Sequence, residues 1–321
     1  MQIEKEFEKL LFQENSVETK LEILRKLDPL KLEINDIIKI VDYFRSLLKK
    51  INLGIDYYGF TGTGGDVHKT INATVLACVV AACDIKVCKV GSIGVTSKWG
   101  SLDLVREIGY KFPYDSKILK QQLEKFSFCF VAPGTLGIPY SGELVKARRI
   151  LWQEGNYDIL KVVLPSSYLM DPKTQIIGVY DIKLVPLIVK IFKHLRGSGI
   201  IVHSYDGIDE FSNTSENLIV EIQNGKVKKY KIKPKDLGIK RVEPKEIAEF
   251  KDLKKQVECS WNILSGKETA PKKDFVALNT ALLLYLAKKV KTLKEGLIRA
   301  NKLIESGDAY QNFKNLLNSQ K

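Results

Sequence analysis

Between Tyr58 and Val75 the chain reads YGFTGTGGDVHKTINATV, with four glycines set among threonines and one aspartate. Gly62, Gly64 and Gly65 let backbone N–H groups turn toward a common point, and a helical pattern follows from Asn72. A helix N-terminus behind such a turn suits an anion. No GK[ST] follows, so this is not a Walker A loop, and Val67 stands where a dinucleotide fingerprint needs its third glycine. A plain tight turn is the alternative. The stretch KVGSIGVTSKWGSLD, Lys89 to Asp103, adds Lys89, Thr96, Ser97, Lys98 and Ser101. Cations and hydroxyls of this kind suit phosphate oxygens, although a long surface loop can carry them too. The stretch HSYDGIDEFS, His203 to Ser212, gathers Asp206, Asp209 and Glu210. Carboxylates beside phosphate-binding loops suit Mg²⁺; an acidic turn bent at Gly207 is the plainer reading. Together the three loops point to a phosphate-rich substrate bound with Mg²⁺.

Such loops need strands to present them. The first fifty residues read as helices only: QIEKEFEKLLFQ, SVETKLEILRKL stopped near Pro29, and NDIIKIVDYFRSLLKK with Asn35 as the expected N-cap. After Gly54, short apolar runs alternate with helical segments. Strands are expected at Asp56–Phe60, Lys86–Val90, Ser127–Ala132, Ile176–Tyr180 and Gly199–His203, with helices at Asn72–Cys83, Ser101–Ile108, Ser141–Gln153 and Leu184–Leu195. A hairpin near Asn217–Ile232 precedes helices around Pro244–Val257, Asp274–Lys289, Leu293–Glu305 and Ala309–Leu317. The expected fold class is α/β: a small N-terminal helical domain, then a larger α/β domain with a mostly parallel central sheet and C-terminal helices. The expected division is residues 1–53, joined by helices from about 139–160, and residues 54–321. In open α/β sheets ligands bind beyond the C-terminal strand ends, where all three loops would lie.

Composition narrows the class. The chain has 321 residues, 45% apolar and 28% charged, which fits a globular protein and not a disordered one. Charges run through the first twenty residues and no uncharged apolar run reaches spanning length, so neither leader nor membrane is expected and the expected location is cytoplasmic. Cys78, Cys83, Cys88, Cys129 and Cys259 match no zinc or CxxC spacing and read as reduced core residues. The net charge of +13 suits an anionic substrate or nucleic acid. Much of it lies in NGKVKKYKIKPK, where lysines partly alternate with apolar residues as on the solvent face of a hairpin, so nucleic acid is not the expected partner.

In combination the motifs are more specific than any one of them. GTGGD with Thr70 and Asn72 downstream, then K-x-G-x4-T-S-K-x-G-S-x-D, then DGIDE-x-S, resembles the anthranilate phosphoribosyltransferase family in order and spacing. The tail, ILSGKETAPKKDFVALNTALLLYLA and LKEGLIRANKLIESGDA, is similar to that family's closing helices. The resemblance implies a homodimer that moves the phosphoribosyl group of phosphoribosyl pyrophosphate, with Mg²⁺, to the amine of a small aromatic acceptor. Carried over by position, it places Gly62, Thr63, Gly64, Gly65, Asp66, Thr70, Asn72, Thr74, Lys89, Ser97 and Ser101 on the donor. Asp209, Glu210 and Thr74 would serve the metal.

The acceptor side departs from the family. Where the family has histidine, glycine and asparagine after the lysine, this chain has Val90, Gly91 and Ser92, and Ile93 replaces an arginine. Leu136 and Gly137 stand at the family's His-Pro pair, Thr74 and Val75 replace a serine and a threonine, and Lys146 falls near an arginine position with Arg148 and Arg149 behind it. Val90, Ser92, Lys146 and Arg148 are therefore the acceptor candidates, and the acceptor is anthranilate or a related aromatic. Two other readings stand beside this one. A non-catalytic paralogue could bind nucleic acid through its basic surface. A nucleoside phosphorylase could be built on similar loops, although attack by inorganic phosphate gives no role to a metal pair at Asp209 and Glu210.

Overall fold

The computed structural model describes residues 2–49, 51–91, 94, 97–139, 141–167 and 174–321. Helices α1 (Gln2–Phe12), α2 (Val17–Lys26) and α3 (Ile34–Leu47) open the chain. Each is amphipathic, and Phe7, Leu10, Leu24, Ile40 and Phe44 are fully buried between them. Ser16 caps α2 through the Thr19 N–H at 3.2 Å. Asn35 does not cap α3. The Asp36 and Ile37 N–H groups donate to the Glu33 carbonyl, so the helix starts earlier and Asn35 falls inside its first turn.

The strands and helices then alternate: β1 (Gly59–Gly62), α4 (Ala73–Ala81), β2 (Val87–Val90), α5 (Ser101–Glu107), α6 (Ser116–Phe126) and β3 (Phe128–Val131). Next come α7 (Gly142–Gln153), α8 (Leu160–Ser167), β4 (Thr174–Gly178), α9 (Val185–His194) and β5 (Ser198–Ser204). The hairpin β6 (Asn217–Gln223) and β7 (Lys226–Ile232) leads into α10 (Leu253–Leu264), α11 (Lys272–Leu286), α12 (Leu293–Glu305) and α13 (Asp308–Asn318). Helices α6 and α8 were not expected from the sequence. The helix expected over Pro244–Val257 is divided into a 3₁₀ turn, Pro244–Ile247, and α10, which Asp252 caps. The break has a cause: Ile247 O accepts from the Ile71 N–H at 3.0 Å and Glu249 N–H donates to Lys69 O at 2.9 Å. That backbone pairing holds the segment leading to Asn72.

Strand order is β1-β4-β5-β6-β7, with β2-β3 alongside. Tyr58 joins the two sets by bridging Val87, its N–H on Lys86 O and its carbonyl on the Cys88 N–H, each at 2.9 Å. β3, β2, β1, β4 and β5 therefore run parallel, and β6 and β7 antiparallel. Side chains alternate strictly between two cores. Val87, Phe128, Ile176 and Ile200 face α4 and the C-terminal helices, while Cys88, Cys129, Ile177 and Ile201 face the other side. The core of α1–α3 is continuous with this second face, where α2 packs on α7 and α3 on α8 and α9. The parallel strands thus deliver their following loops to one sheet edge, and α7 and α8 are brought over it by the N-terminal helices. Among the described residues no helix is long and apolar enough to cross a membrane.

Candidate active site

The loops after β1 and β5 are stitched together by bonds from backbone N–H groups. Val67 N–H donates to Gly207 O at 3.1 Å, and Asp209 N–H donates to Asp66 Oδ1 at 2.9 Å. Gly64 N–H donates to Asp209 Oδ2 at 2.6 Å. A Cβ on Gly62 would lie 2.2 Å from that same oxygen, so only glycine admits the carboxylate there. The glycine turn therefore has a task beyond the anion cradle expected from sequence: it orients Asp209.

Asp66, Asp209 and Glu210 bring carboxylate oxygens within 4.8 Å of one another. Burial first, then the Asp209 charge, pushes the Asp66 and Glu210 carboxyls well above the usual carboxylate range. Thr70 Oγ1 donates to Glu210 Oε2 at 3.4 Å. Crowded, half-neutralised oxygen donors are the chemistry a hard divalent cation accepts, so these residues fit Mg²⁺.

A cavity opens beside this cluster. Its donor-side lining includes Gly62, Thr63, Gly64, Asn72, Thr74, Lys89, Ser97, Ser101, Asp209 and Glu210. Gly65, Asp66 and Thr70 stand behind that lining. Lys89 is 3% exposed and donates to Val90 O at 3.0 Å; burial lowers its pKa against the pull of Asp209 and Glu210. Asn72 donates to Trp99 O at 3.4 Å and accepts from Gln256 Nε2 at 3.3 Å, so it ties the start of α4 to the loop before α5. Thr74 lies in the first turn of α4, and Ser101 opens α5.

The far wall is different in kind. Val90 and Arg148 line it, Lys146 does not, and Ser92 lies outside the described residues. Arg148 is already engaged: its Nε donates to Asp158 Oδ2 at 2.6 Å, with both side chains buried. Leu160, Lys161, Leu164 and Pro165 of α8 complete the wall, and the sequence reading missed all four. Lys161 is 4% exposed, its ammonium lies 4.9 Å from the Tyr180 ring centroid, and it finds no hydrogen-bond acceptor among the described residues. Burial pulls its pKa down to about 8. One signal was available: Lys161 is the only charge in LKVVLPSS.

The glycosyl transferase family a/b domain matches residues 56–310. Anthranilate phosphoribosyltransferase from Thermoanaerobacter sp. is 35% identical over 276 residues, 85% of this chain and 80% of that protein. The enzyme of the same name from Clostridium kluyveri is 34% identical over 260 residues, 80% of this chain and 76% of that protein. The structure of anthranilate phosphoribosyltransferase from Saccharomyces cerevisiae in complex with phosphoribosyl pyrophosphate and Mg superposes with a TM-score of 0.80 at 25% identity, covering 94% of this chain and 84% of that one. With a sheet edge, a glycine turn and a carboxylate cluster arranged as described, and relatives this similar over most of their length, the chain belongs to the anthranilate phosphoribosyltransferase family.

Proposed function

We propose that the chain transfers the phosphoribosyl group of phosphoribosyl pyrophosphate to the amine of anthranilate or a closely related aromatic acceptor. The observation that carries this reading is the bond from the Gly64 N–H to Asp209, which fuses the glycine turn and the carboxylates into one site beside buried Lys89. Displacing pyrophosphate from the ribose carbon leaves positive charge on the sugar and negative charge on the departing oxygens. Lys89, with the hydroxyls of Thr63, Thr74, Ser97 and Ser101, lines the same cavity and would stabilise the latter. Asp209 and Glu210, with Asp66 behind them, would hold Mg²⁺. When bound, the ion neutralises phosphate oxygens and improves the leaving group. Val90, Leu160, Leu164 and Pro165 offer an apolar slot in which an aromatic ring can be positioned against the ribose.

A homodimer in the cytoplasm is part of this reading. The β7 lysines Lys226, Lys228, Lys229 and Lys231 are exposed on an edge strand, while Val227, Tyr230 and Ile232 are half-buried. We read them as a solvated edge that blocks strand pairing, not as a nucleic-acid surface. Calorimetric titration with phosphoribosyl pyrophosphate tests the proposal. Binding that requires Mg²⁺ and disappears in an Asp209→Ala, Glu210→Ala variant is the expected result. Binding indifferent to Mg²⁺, or none at all, would remove the transferase reading.

A further inference from the structure

Three charged side chains meet where α7 and α8 face the glycine turn: Arg148, Asp158 and Lys161. Asp158 accepts from Arg148 at 2.6 Å and also from the Leu160 N–H at 2.9 Å, opening α8. Arg148 and Asp158 are thus paired, and among these three side chains one cation stands beyond the single carboxylate. That surplus is Lys161, whose buried Nζ has no hydrogen-bond acceptor among the described residues. A buried ammonium without an acceptor destabilises the fold, so its retention calls for a ligand that supplies one.

Its place narrows the ligand. The ammonium occupies the space a side chain at residue 65 would need, because a Cβ on Gly65 would lie 2.1 Å from Nζ. Lys161 therefore stands at the seam between the glycine turn and the apolar wall of Leu160, Leu164 and Pro165. Lys89, on β2, already serves the phosphate side. We propose that Lys161 receives the carboxylate of the aromatic acceptor and so selects carboxylated aromatic amines over uncharged ones. This rests on the transferase reading above. In anthranilate the carboxylate is ortho to the amine, so fixing the carboxylate at the seam turns the amine toward the ribose carbon. Val90, in contrast, offers the acceptor no polar group.

The test is calorimetric titration of the full chain with anthranilate and with aniline, each with and without Mg²⁺ and pyrophosphate, in the wild type, Lys161→Met and Lys161→Arg. The wild type should prefer anthranilate by roughly 10- to 100-fold, the range of a charge-assisted hydrogen bond. Lys161→Met should erase that preference without weakening pyrophosphate, and Lys161→Arg should restore part of it. Because the methionine removes an unpartnered buried charge, the variant should melt no lower than the wild type, which separates recognition from a structural role. Equal binding of anthranilate and aniline by the wild type would overturn the proposal. So would a Lys161→Met variant that loses pyrophosphate affinity while keeping the preference, since the lysine would then serve the donor. Failure of the transferase reading looks different: pyrophosphate and Mg²⁺ bind to none of the proteins.

Discussion

The two halves of the cavity are built by different means. The donor half is made of strand ends, glycines and bonds donated by backbone N–H groups: Gly64 N–H to the Asp209 carboxylate, Asp209 N–H to the Asp66 carboxylate, Val67 N–H to the Gly207 carbonyl. The acceptor half is made of side chains, Val90 at the end of β2 and the rest on α7 and α8, two helices carried to the sheet edge by packing on α2 and α3. Backbone geometry demands particular residues at particular spacings, so the donor half leaves a motif. Side-chain walls demand only shape and charge, so the acceptor half can change residue by residue while the fold persists. Of the departures expected from the resemblance, Val90 after β2 lines this half and Lys146 on α7 does not.

The contrast can be broken most severely on the acceptor side. Arg148→Met strands Asp158 in the interior at the head of α8 and should cost about 3–5 kcal/mol of stability, measured by urea unfolding. If stability hardly changes, the far wall is not held by that pair. On the donor side the analogous change should damage chemistry instead. Lys89→Met should lower kcat/KM by about 10²–10³-fold, in the range of one lost transition-state donor, with unfolding unchanged or slightly improved. A variant with normal turnover and poor stability would reverse the assignment of the two halves.

A pH experiment sharpens the picture of the carboxylates. Asp66 and Glu210 are raised above their unfolded values, so the folded metal-free protein holds protons that the unfolded chain has released. Stability contributed by these protonated groups is present at low pH and is lost as pH rises from about 4 toward the folded values. The metal-free melting temperature should therefore fall over that window. Mg²⁺, which competes with those protons, should raise it more at pH 8 than at pH 5. A Mg²⁺ effect that is the same at both pH values would separate the cluster from the metal. Gly62→Ala tests the same geometry more gently: the new Cβ displaces Asp209 and should weaken Mg²⁺ about tenfold, roughly 1.4 kcal/mol, by titration. The smallest change expected is at the edge strand. Lys231→Ala, which removes one surface salt bridge to Glu216, should stay within about 0.5 kcal/mol in urea.

The same division explains what the sequence made legible. The parallel strands β2 to β5 were visible because each is a short run buried almost throughout, β2 and β3 at every position, whereas β1 (GFTG) has one large apolar residue and begins later than the expected Asp56–Phe60. α8 escaped notice because all of its residues from Leu160 to Ser167 are buried, so it has no polar face to set a helical period, and Pro165 reads as a break. α6 is legible in the sequence although no helix was expected there: SKILKQQLEKF is amphipathic, and Asp115 caps it through the Lys117 N–H at 2.8 Å. Lys161 went unassigned because a lysine ordinarily lies in water, and only the packing of α8 over the glycine turn places this one inside. Gly62 and Gly64 stand out in the sequence, yet the bond from the Gly64 N–H to Asp209 spans 145 residues and belongs to the tertiary fold alone.

On the proposed reading the donor half is a working phosphoribosyl-transfer site beside an acceptor wall of different residues. Anthranilate fluorescence, followed with purified protein, phosphoribosyl pyrophosphate and Mg²⁺, tests it most directly. The predicted result is a loss of signal that needs both donor and Mg²⁺ and is abolished by Asp209→Ala with Glu210→Ala. A steady signal from a protein that binds the donor, or a loss that survives in the double variant, would contradict it.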